Sequence, residues 1–241
     1  MSNTAVDATP GSFRAALRQG LEAARANRIA ALFLWTLAGV ILVAYVQWAA
    51  FAEAMDDVAA LKERLGYLFS MPSTALFAGI IPLLVRRLAG QGRADRDLRH
   101  LPFFLGYWGY KGFEIDSFYR LQTWLFGNET DLGTIAIKLF VDQVIYNGLI
   151  AGPTVVLLYL WKNKGYSLRR TRAALVPNWY RVRVFPLLLA TWAVWVPTVC
   201  VIYSLPPGLQ LPVQNVILCF FVLLLTFMTR EPAAEVGKPT G

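Results

Sequence analysis

The sequence is poor in charged residues, cysteine and histidine. Asp, Glu, Lys and Arg make up 16% of the 241 residues, whereas an average soluble domain is about 25% charged. Cys200 and Cys219 lie in apolar segments and lack the spacing of a metal or redox site. His100 is the single histidine. Because no HExxH, GxSxG or Walker motif occurs either, the sequence predicts neither an enzyme nor a bound cofactor or metal.

Long segments without any charge are the main feature of the chain. The stretches 29–51, 66–85 and 184–229 contain no Asp, Glu, Lys, Arg or His. A bilayer core about 30 Å thick requires roughly 20 apolar residues of helix, so each stretch is long enough to cross it. A soluble helix of this length would have a polar face. The sequence therefore predicts an all-α integral membrane protein, folded as a bundle of transmembrane helices.

The distribution of Lys and Arg indicates how often the chain crosses. With five spans, the two most basic connections, in 86–138 and 162–183, would lie on opposite sides of the membrane. A sixth, polar span at 101–125 places both on the cytoplasmic or matrix side, together with the termini, as the positive-inside rule requires. We therefore predict about six spans, one of them polar. The five apolar spans are 29–51, 66–85, 139–161, 184–205 and 211–229.

The net charge of +8 comes from basic residues at the ends of the apolar segments. This placement is typical of membrane orientation and argues against nucleic-acid binding. Residues 1–28 are rich in Arg and predict an amphipathic helix on the membrane surface; a mitochondrial transit peptide is the alternative. The connection 162–183 either anchors generically in the interface or binds anionic lipid headgroups.

Ionisable and amide residues within the predicted spans are the candidate functional residues. A charged side chain at a span centre costs about 2.5–3.5 kcal/mol on insertion scales, so it faces the bundle interior or a hydrated cavity. Lys138 and Asp142 have the i,i+4 spacing of an ion pair. Either these residues line a polar, partly hydrated path, or they only fix helix packing. The candidates are Arg120, Lys138, Asp142, Gln143 and Asn147.

Glycines also recur in the polar span. Gly106, Gly109 and Gly112 are spaced by three residues, which leaves a shallow helix surface that a neighbouring helix can approach closely. The sequence therefore predicts close packing of this span against another helix.

Several short motifs follow one another between residues 60 and 230. Phe118-Tyr119-Arg120 stands where an aromatic segment ending in Trp-Tyr is expected, and KLFVDQ supplies a Lys followed by Asp-Gln. Pro153 follows about ten residues later, and the segment from Trp192 through Trp195 to Pro197 approximates Trp-x-Val-Trp-Pro with one residue inserted. In order and spacing these motifs resemble the family of the 22-kDa peroxisomal membrane protein, found in peroxisomal and mitochondrial inner membranes.

The resemblance implies a helical bundle over 60–230, with 29–51 as an added helix and 231–241 as a flexible tail. It also implies pore-like permeation of small solutes without known catalytic residues, in a peroxisomal, mitochondrial inner or bacterial inner membrane. The Gln and Asn that usually follow the Trp-Pro motif are replaced by Thr198–Tyr203. Two functions follow: a channel-like or permeability-modulating protein, or a structural or assembly protein that does not transport.

Overall fold

Helices make up almost all of the described chain, which comprises residues 13–88 and 99–228 of a computed structural model, with side chains described to residue 224. No β-strand occurs in these two ranges, so the predicted all-α fold is confirmed. The N-terminal segment predicted over 1–28 is described from Phe13 onward. The tail predicted at 231–241 lies outside the described residues.

The described ranges form a series of helices that we number α1 to α9. Three of them, α4, α6 and α8, contain wide turns of the π type, in which hydrogen bonds run from residue i to i+5. The helices are α1 (Phe13–Ala26), α2 (Arg28–Gln47), α3 (Ala49–Leu65), α4 (Tyr67–Leu88), α5 (Leu101–Phe126), α6 (Leu132–Asn163), α7 (Leu168–Ala173), α8 (Tyr180–Tyr203) and α9 (Pro207–Met228).

Five of these helices, α2, α4, α6, α8 and α9, are long and apolar enough to cross a membrane. They match the five predicted apolar spans, and the protein is an integral membrane protein. The largest difference is at α6, which begins at Leu132 rather than near residue 139. Asp131 caps this helix by accepting hydrogen bonds from the backbone N–H groups of Thr134 (3.2 Å) and Gly133 (2.9 Å). The bonds from Thr134 also hold the pKa of the Asp131 carboxyl below its ordinary value.

The polar segment at 101–125 forms one uninterrupted helix, α5. At about 1.5 Å per residue it extends about 39 Å, more than the thickness of a bilayer core. Two of its charged residues, Lys111 and Asp116, are buried inside the bundle rather than exposed at its surface. The predicted helix is therefore confirmed, and its passage through the bilayer stays a prediction.

The three glycines of α5 have different surroundings. A Cβ atom built on Gly112 would lie 2.2 Å from the carbonyl oxygen of Ser70, so α4 and α5 approach each other closely at this point. The nearest atom to such a Cβ at Gly109 is the Met71 carbonyl oxygen at 3.9 Å, and Gly106 faces open space. Close packing therefore requires Gly112 and does not extend along the predicted stripe.

The segment 52–65, expected to be a loop, is instead part of α3. Its composition favours a helix, since Ala, Leu, Glu and Lys predominate and neither Gly nor Pro occurs before Gly66. Gly66 then ends the helix with a positive φ of 56°, a conformation that suits glycine. Since α3 packs against α9, the Lys62 side chain points into the bundle and is 5% exposed.

The apolar core is formed mainly by α2, α8 and α9. Leu34 of α2 is fully buried, and Trp35 donates its indole N–H to the Val194 carbonyl oxygen at 3.1 Å. The helix predicted as an addition to the bundle is thus part of the same core. On the outside, α1 lies along α8, where Gly20 leaves room for Leu189.

Candidate functional site

A cavity of about 610 Å³ lies between α4, α5, α6, α8 and α9. It begins beside Asn27 and Lys162, at the end of the bundle that carries the basic connections. Its wall follows α5 from Phe104 to Tyr119 and α6 from Lys162 to Asp142. The α6 wall alone covers twenty residues, or about 30 Å of helix. The cavity therefore extends from the basic end of the bundle deep into its interior.

Three of the five predicted path residues, Asp142, Gln143 and Asn147, line this cavity. They lie in the wide-turn segment Val141–Ala151 of α6. In such turns, residues five apart share a face, which brings Asp142 and Asn147 to the same wall. Wide turns of this type occur frequently at functional sites. In a regular α-helix, residues 142 and 147 would lie about 140° apart, so the sequence pattern does not predict that they share a wall.

A hydrogen-bonded layer surrounds Asp142 at the inner end of the cavity. The hydroxyl of Tyr203 donates to Asp142 Oδ2 at 2.7 Å, and Gln143 Nε2 donates to Oδ1 at 3.0 Å. Gln122 Nε2 donates in turn to the Tyr203 hydroxyl oxygen (3.0 Å) and to the Lys138 carbonyl oxygen (2.9 Å). This layer, which we call the Asp142 layer, links α5, α6 and α8.

The predicted ion pair between Lys138 and Asp142 is wrong. Lys138 Nζ donates instead to the Gly127 carbonyl oxygen at 2.6 Å, and the side chain is 2% exposed. Gly127 follows the last residue of α5, where carbonyl groups lack partners within the helix. Lys138 therefore stabilises the connection between α5 and α6 and does not line the cavity.

A charged pair, Lys111 and Glu114, lies on α5 where this helix borders the cavity. Lys111 Nζ is bonded to the Glu114 carboxylate, as their i,i+3 spacing predicts. The Tyr146 hydroxyl donates to the same carboxylate at 2.6 Å. The Tyr146 ring stacks on Phe118, with a centroid distance of 4.1 Å. The Lys111 cation of the cavity wall is thus neutralised by Glu114, which lies on the same helix.

Arg120, also predicted to line the path, is not part of this cavity. Its Nε lies 3.3 Å from Asp116 Oδ2, and Asp116 is fully buried. Lys62 Nζ contacts the other oxygen of Asp116 at 2.9 Å, and the Ser70 hydroxyl donates to Oδ2 at 2.7 Å. We call these four residues the Asp116 cluster. The pair at 116 and 120 points away from the cavity because residues 111 and 116 are separated by about 140° around a helix.

Lys62 is the member of the Asp116 cluster that the sequence did not indicate. It lies in a segment that was expected to be a solvated loop, and nothing in its neighbourhood suggests a buried cation. Lys62 and Asp116 are 54 residues apart in the chain, so their contact is tertiary and leaves no local sequence pattern. The sequence signal that could have revealed Lys62 is the helical composition of 49–65, which places its side chain on the face towards the bundle.

A smaller cavity of about 360 Å³ lies on the other side of Tyr119. Lys62 and Arg120 of the Asp116 cluster contribute to its wall, together with Glu63 and Gly208. Tyr119 lines both cavities and is 4% exposed. The two cavities are therefore adjacent, and the Tyr119 side chain lies at their boundary.

The residues of the family-like motifs lie close to the larger cavity. Tyr119 and Trp195 line it, and Trp192 donates its indole N–H to the Gln143 carbonyl oxygen at 3.0 Å. Pro153 lies at the start of the regular helix that follows the wide turns of α6. Pro197 lies within α8.

The chemistry available in the cavity is that of hydrogen bonding and charge. Among residues 13–88 and 99–228, no group of three or more His, Cys, Asp or Glu is arranged to hold a metal ion. Aromatic and aliphatic side chains form most of the wall. The amide and carboxylate groups of the Asp142 layer can replace part of the hydration shell of a small polar molecule.

Comparison of the chain with protein-family models, with curated proteins and with solved structures found no significant match. The resemblance to the 22-kDa peroxisomal membrane protein family therefore stays a prediction based on the motifs.

Proposed function

We propose that the protein is a small channel-like membrane protein through which small polar solutes cross the bilayer. The observation that carries this proposal is the cavity that extends from the basic end of the bundle to Asp142. A bundle whose polar residues served packing alone would have no need for a cavity of this length, because membrane helices pack closely when small and apolar residues meet.

The polar groups along the cavity support passage of solutes rather than of lipid. Asp142, Gln143 and Asn147 follow one another on the wide turns of α6 and offer both hydrogen-bond donors and acceptors. Their mutual bonds are of ordinary or long distance, as with Asn147 Nδ2 and Gln143 Oε1 at 3.4 Å. A solute that forms hydrogen bonds can exchange with such contacts at low cost.

The proposal includes the orientation of the chain. All six long helices, α5 among them, cross the bilayer, and the basic connections lie on the cytoplasmic or matrix side. The membrane is a bacterial inner membrane or an organellar membrane, as the motif resemblance implies. Arg169, Arg170 and Arg172 of α7 are exposed at this end, where they can contact anionic lipid headgroups.

Solute flux into liposomes tests the proposal directly. Purified protein is reconstituted, and glycerol entry is measured by stopped-flow light scattering against protein-free liposomes. We expect faster entry with the protein. Asp142→Asn removes a charge and an acceptor from the narrow end, and a lost hydrogen bond of about 1 kcal/mol corresponds to a roughly fivefold slower flux.

Asp131→Asn is the matched control, because Asp131 is an exposed cap at the start of the same helix and Asn also caps well. Its flux should equal that of the unaltered protein. Glycerol entry no faster than in protein-free liposomes would rule out the channel-like function.

The second candidate is a structural or assembly protein, and the Asp116 cluster favours it. Its two cations and one carboxylate are in direct contact and join α3, α4 and α5 without lining the larger cavity. If the Asp142 layer serves packing in the same way, Asp142→Asn lowers thermal stability and cellular abundance. No flux would then be present in the unaltered protein.

A further inference from the structure

The two cavities meet at one residue of α5. Among the described residues, Tyr119 is common to the walls of both. The larger cavity approaches it from the basic end of the bundle, past Lys111 and Ile115 of the same helix. The smaller one approaches it from the opposite end, past Thr123 and Trp124. Residues 111 to 124 of α5 thus trace a line through both cavities, with Tyr119 in between.

The Tyr119 side chain is held in place by weak, neutral contacts. Its hydroxyl donates to Gln214 Oε1 of α9 at 3.3 Å, a long hydrogen bond. Its ring meets the ring of Tyr203 edge-on, with centroids 5.7 Å apart. Charge-assisted bonds, which are about twice as strong, hold the neighbouring Asp116 cluster together. Rotation of the Tyr119 ring therefore breaks no ion pair between the surrounding helices.

We propose that Tyr119 is the gate of the solute path. In the described conformation its ring separates the cavities, and the path is closed. Rotation of the ring away from Gln214 joins them into one passage that runs from Lys162 at the basic end to Gly208 at the other. This inference rests on the proposed function, since a gate requires a path.

The two sides of the gate have different chemistry. On the basic-end side, the wall near Tyr119 is aromatic, with Phe118 and Tyr146 stacked on each other. On the other side, charged side chains such as Lys62 and Glu63 line the wall together with apolar ones. A solute that passes Tyr119 thus moves from an aromatic surface to one that carries charged groups.

Glycerol and sorbitol entry into proteoliposomes tests the gate. Tyr119→Ala removes the ring and should raise glycerol entry several-fold above that of the unaltered protein, and should admit the larger sorbitol. Tyr119→Phe keeps the ring but loses the bond to Gln214, so a smaller increase is expected. This conservative variant also provides the test if Tyr119→Ala does not fold, as judged by size-exclusion chromatography.

Phe113→Ala is the control, because Phe113 is an aromatic residue of the same helix that lines neither cavity and is 41% exposed. Its flux should be unchanged. If the unaltered protein conducts glycerol and both Tyr119 variants conduct it equally, the gate is refuted and the channel-like function stands. If the unaltered protein and both Tyr119 variants equal protein-free liposomes, the gate and the channel-like function are both refuted. The gate is supported if the unaltered protein conducts glycerol and both Tyr119 variants raise its entry.

Discussion

The two carboxylates of α5, Glu114 and Asp116, are two residues apart and have different surroundings. Glu114 is bonded to Lys111 and Tyr146, two residues of the wall of the larger cavity. Asp116 is fully buried between Lys62 and Arg120 and joins α3, α4 and α5. Charged residues in a membrane helix can thus line a path or fix packing, and the helix face decides which. In this chain, Lys111 on one face of α5 lines the larger cavity, and Asp116 on another face joins three helices.

The largest effect should come from breaking the Asp116 cluster. Asp116→Asn keeps the size of the side chain but leaves the buried Lys62 ammonium without a counter-charge. Loss of one partner of a buried ion pair costs about 3–5 kcal/mol. We expect a clearly lower midpoint of thermal or denaturant-induced unfolding in detergent micelles.

Removing both the Lys62 and the Asp116 charges separates the cost of an unpaired buried charge from the cost of altered packing. The double variant Lys62→Met/Asp116→Asn leaves no buried charge in the Asp116 cluster, and it should recover most of the lost stability. Glu22→Gln is the surface control, since the Arg18–Glu22 pair is exposed and such pairs contribute about 0–1 kcal/mol. An unchanged midpoint in Asp116→Asn would contradict a structural role of the cluster.

A smaller loss is expected at the crossing of α4 and α5. The methyl group of Gly112→Ala would meet the Ser70 carbonyl oxygen, and Ser70 itself binds Asp116. Overpacking of this kind costs about 1–3 kcal/mol. Gly106→Ala on the same helix faces open space and should be neutral or slightly stabilising, because Ala favours helix more than Gly does. Equal unfolding midpoints for the two variants would show that the helices do not approach closely at residue 112.

The fold could be predicted largely from the sequence, because it depends on local composition. Apolar segments of about 20 residues indicate spans wherever they occur, and all five were found within a few residues except at the start of α6. The helical nature of α5 followed from the distribution of Lys and Arg, although its own hydropathy is low. Segment 52–65 was expected to be a loop because it connects two apolar spans, whereas its residue types favour a helix.

The site was predicted less completely, because it depends on helix faces and on distant contacts. Asp142, Gln143 and Asn147 were identified as polar residues in an apolar helix. Lys138 was wrongly paired with Asp142, since the i,i+4 rule does not show that the Gly127 carbonyl oxygen is nearby. Tyr203 gave no signal at all, because a tyrosine at the end of an apolar span is ordinary at a membrane interface.

In the proposed path, the larger cavity opens at the basic end of the bundle and is closed at Tyr119. Cysteine labelling tests it most directly, in a variant in which Cys200 and Cys219 are replaced by Ala. Asn147→Cys places one thiol in the larger cavity and Thr123→Cys places one in the smaller cavity. Lys164→Cys, which is exposed, marks the side of the basic connections.

A small, membrane-impermeant methanethiosulfonate reagent is applied to each side of oriented vesicles. The account predicts that the thiol at 147 reacts from the same side as the thiol at 164, and that the thiol at 123 reacts from the opposite side. A thiol at 147 that reacts from neither side, or from the side opposite to 164, would contradict it.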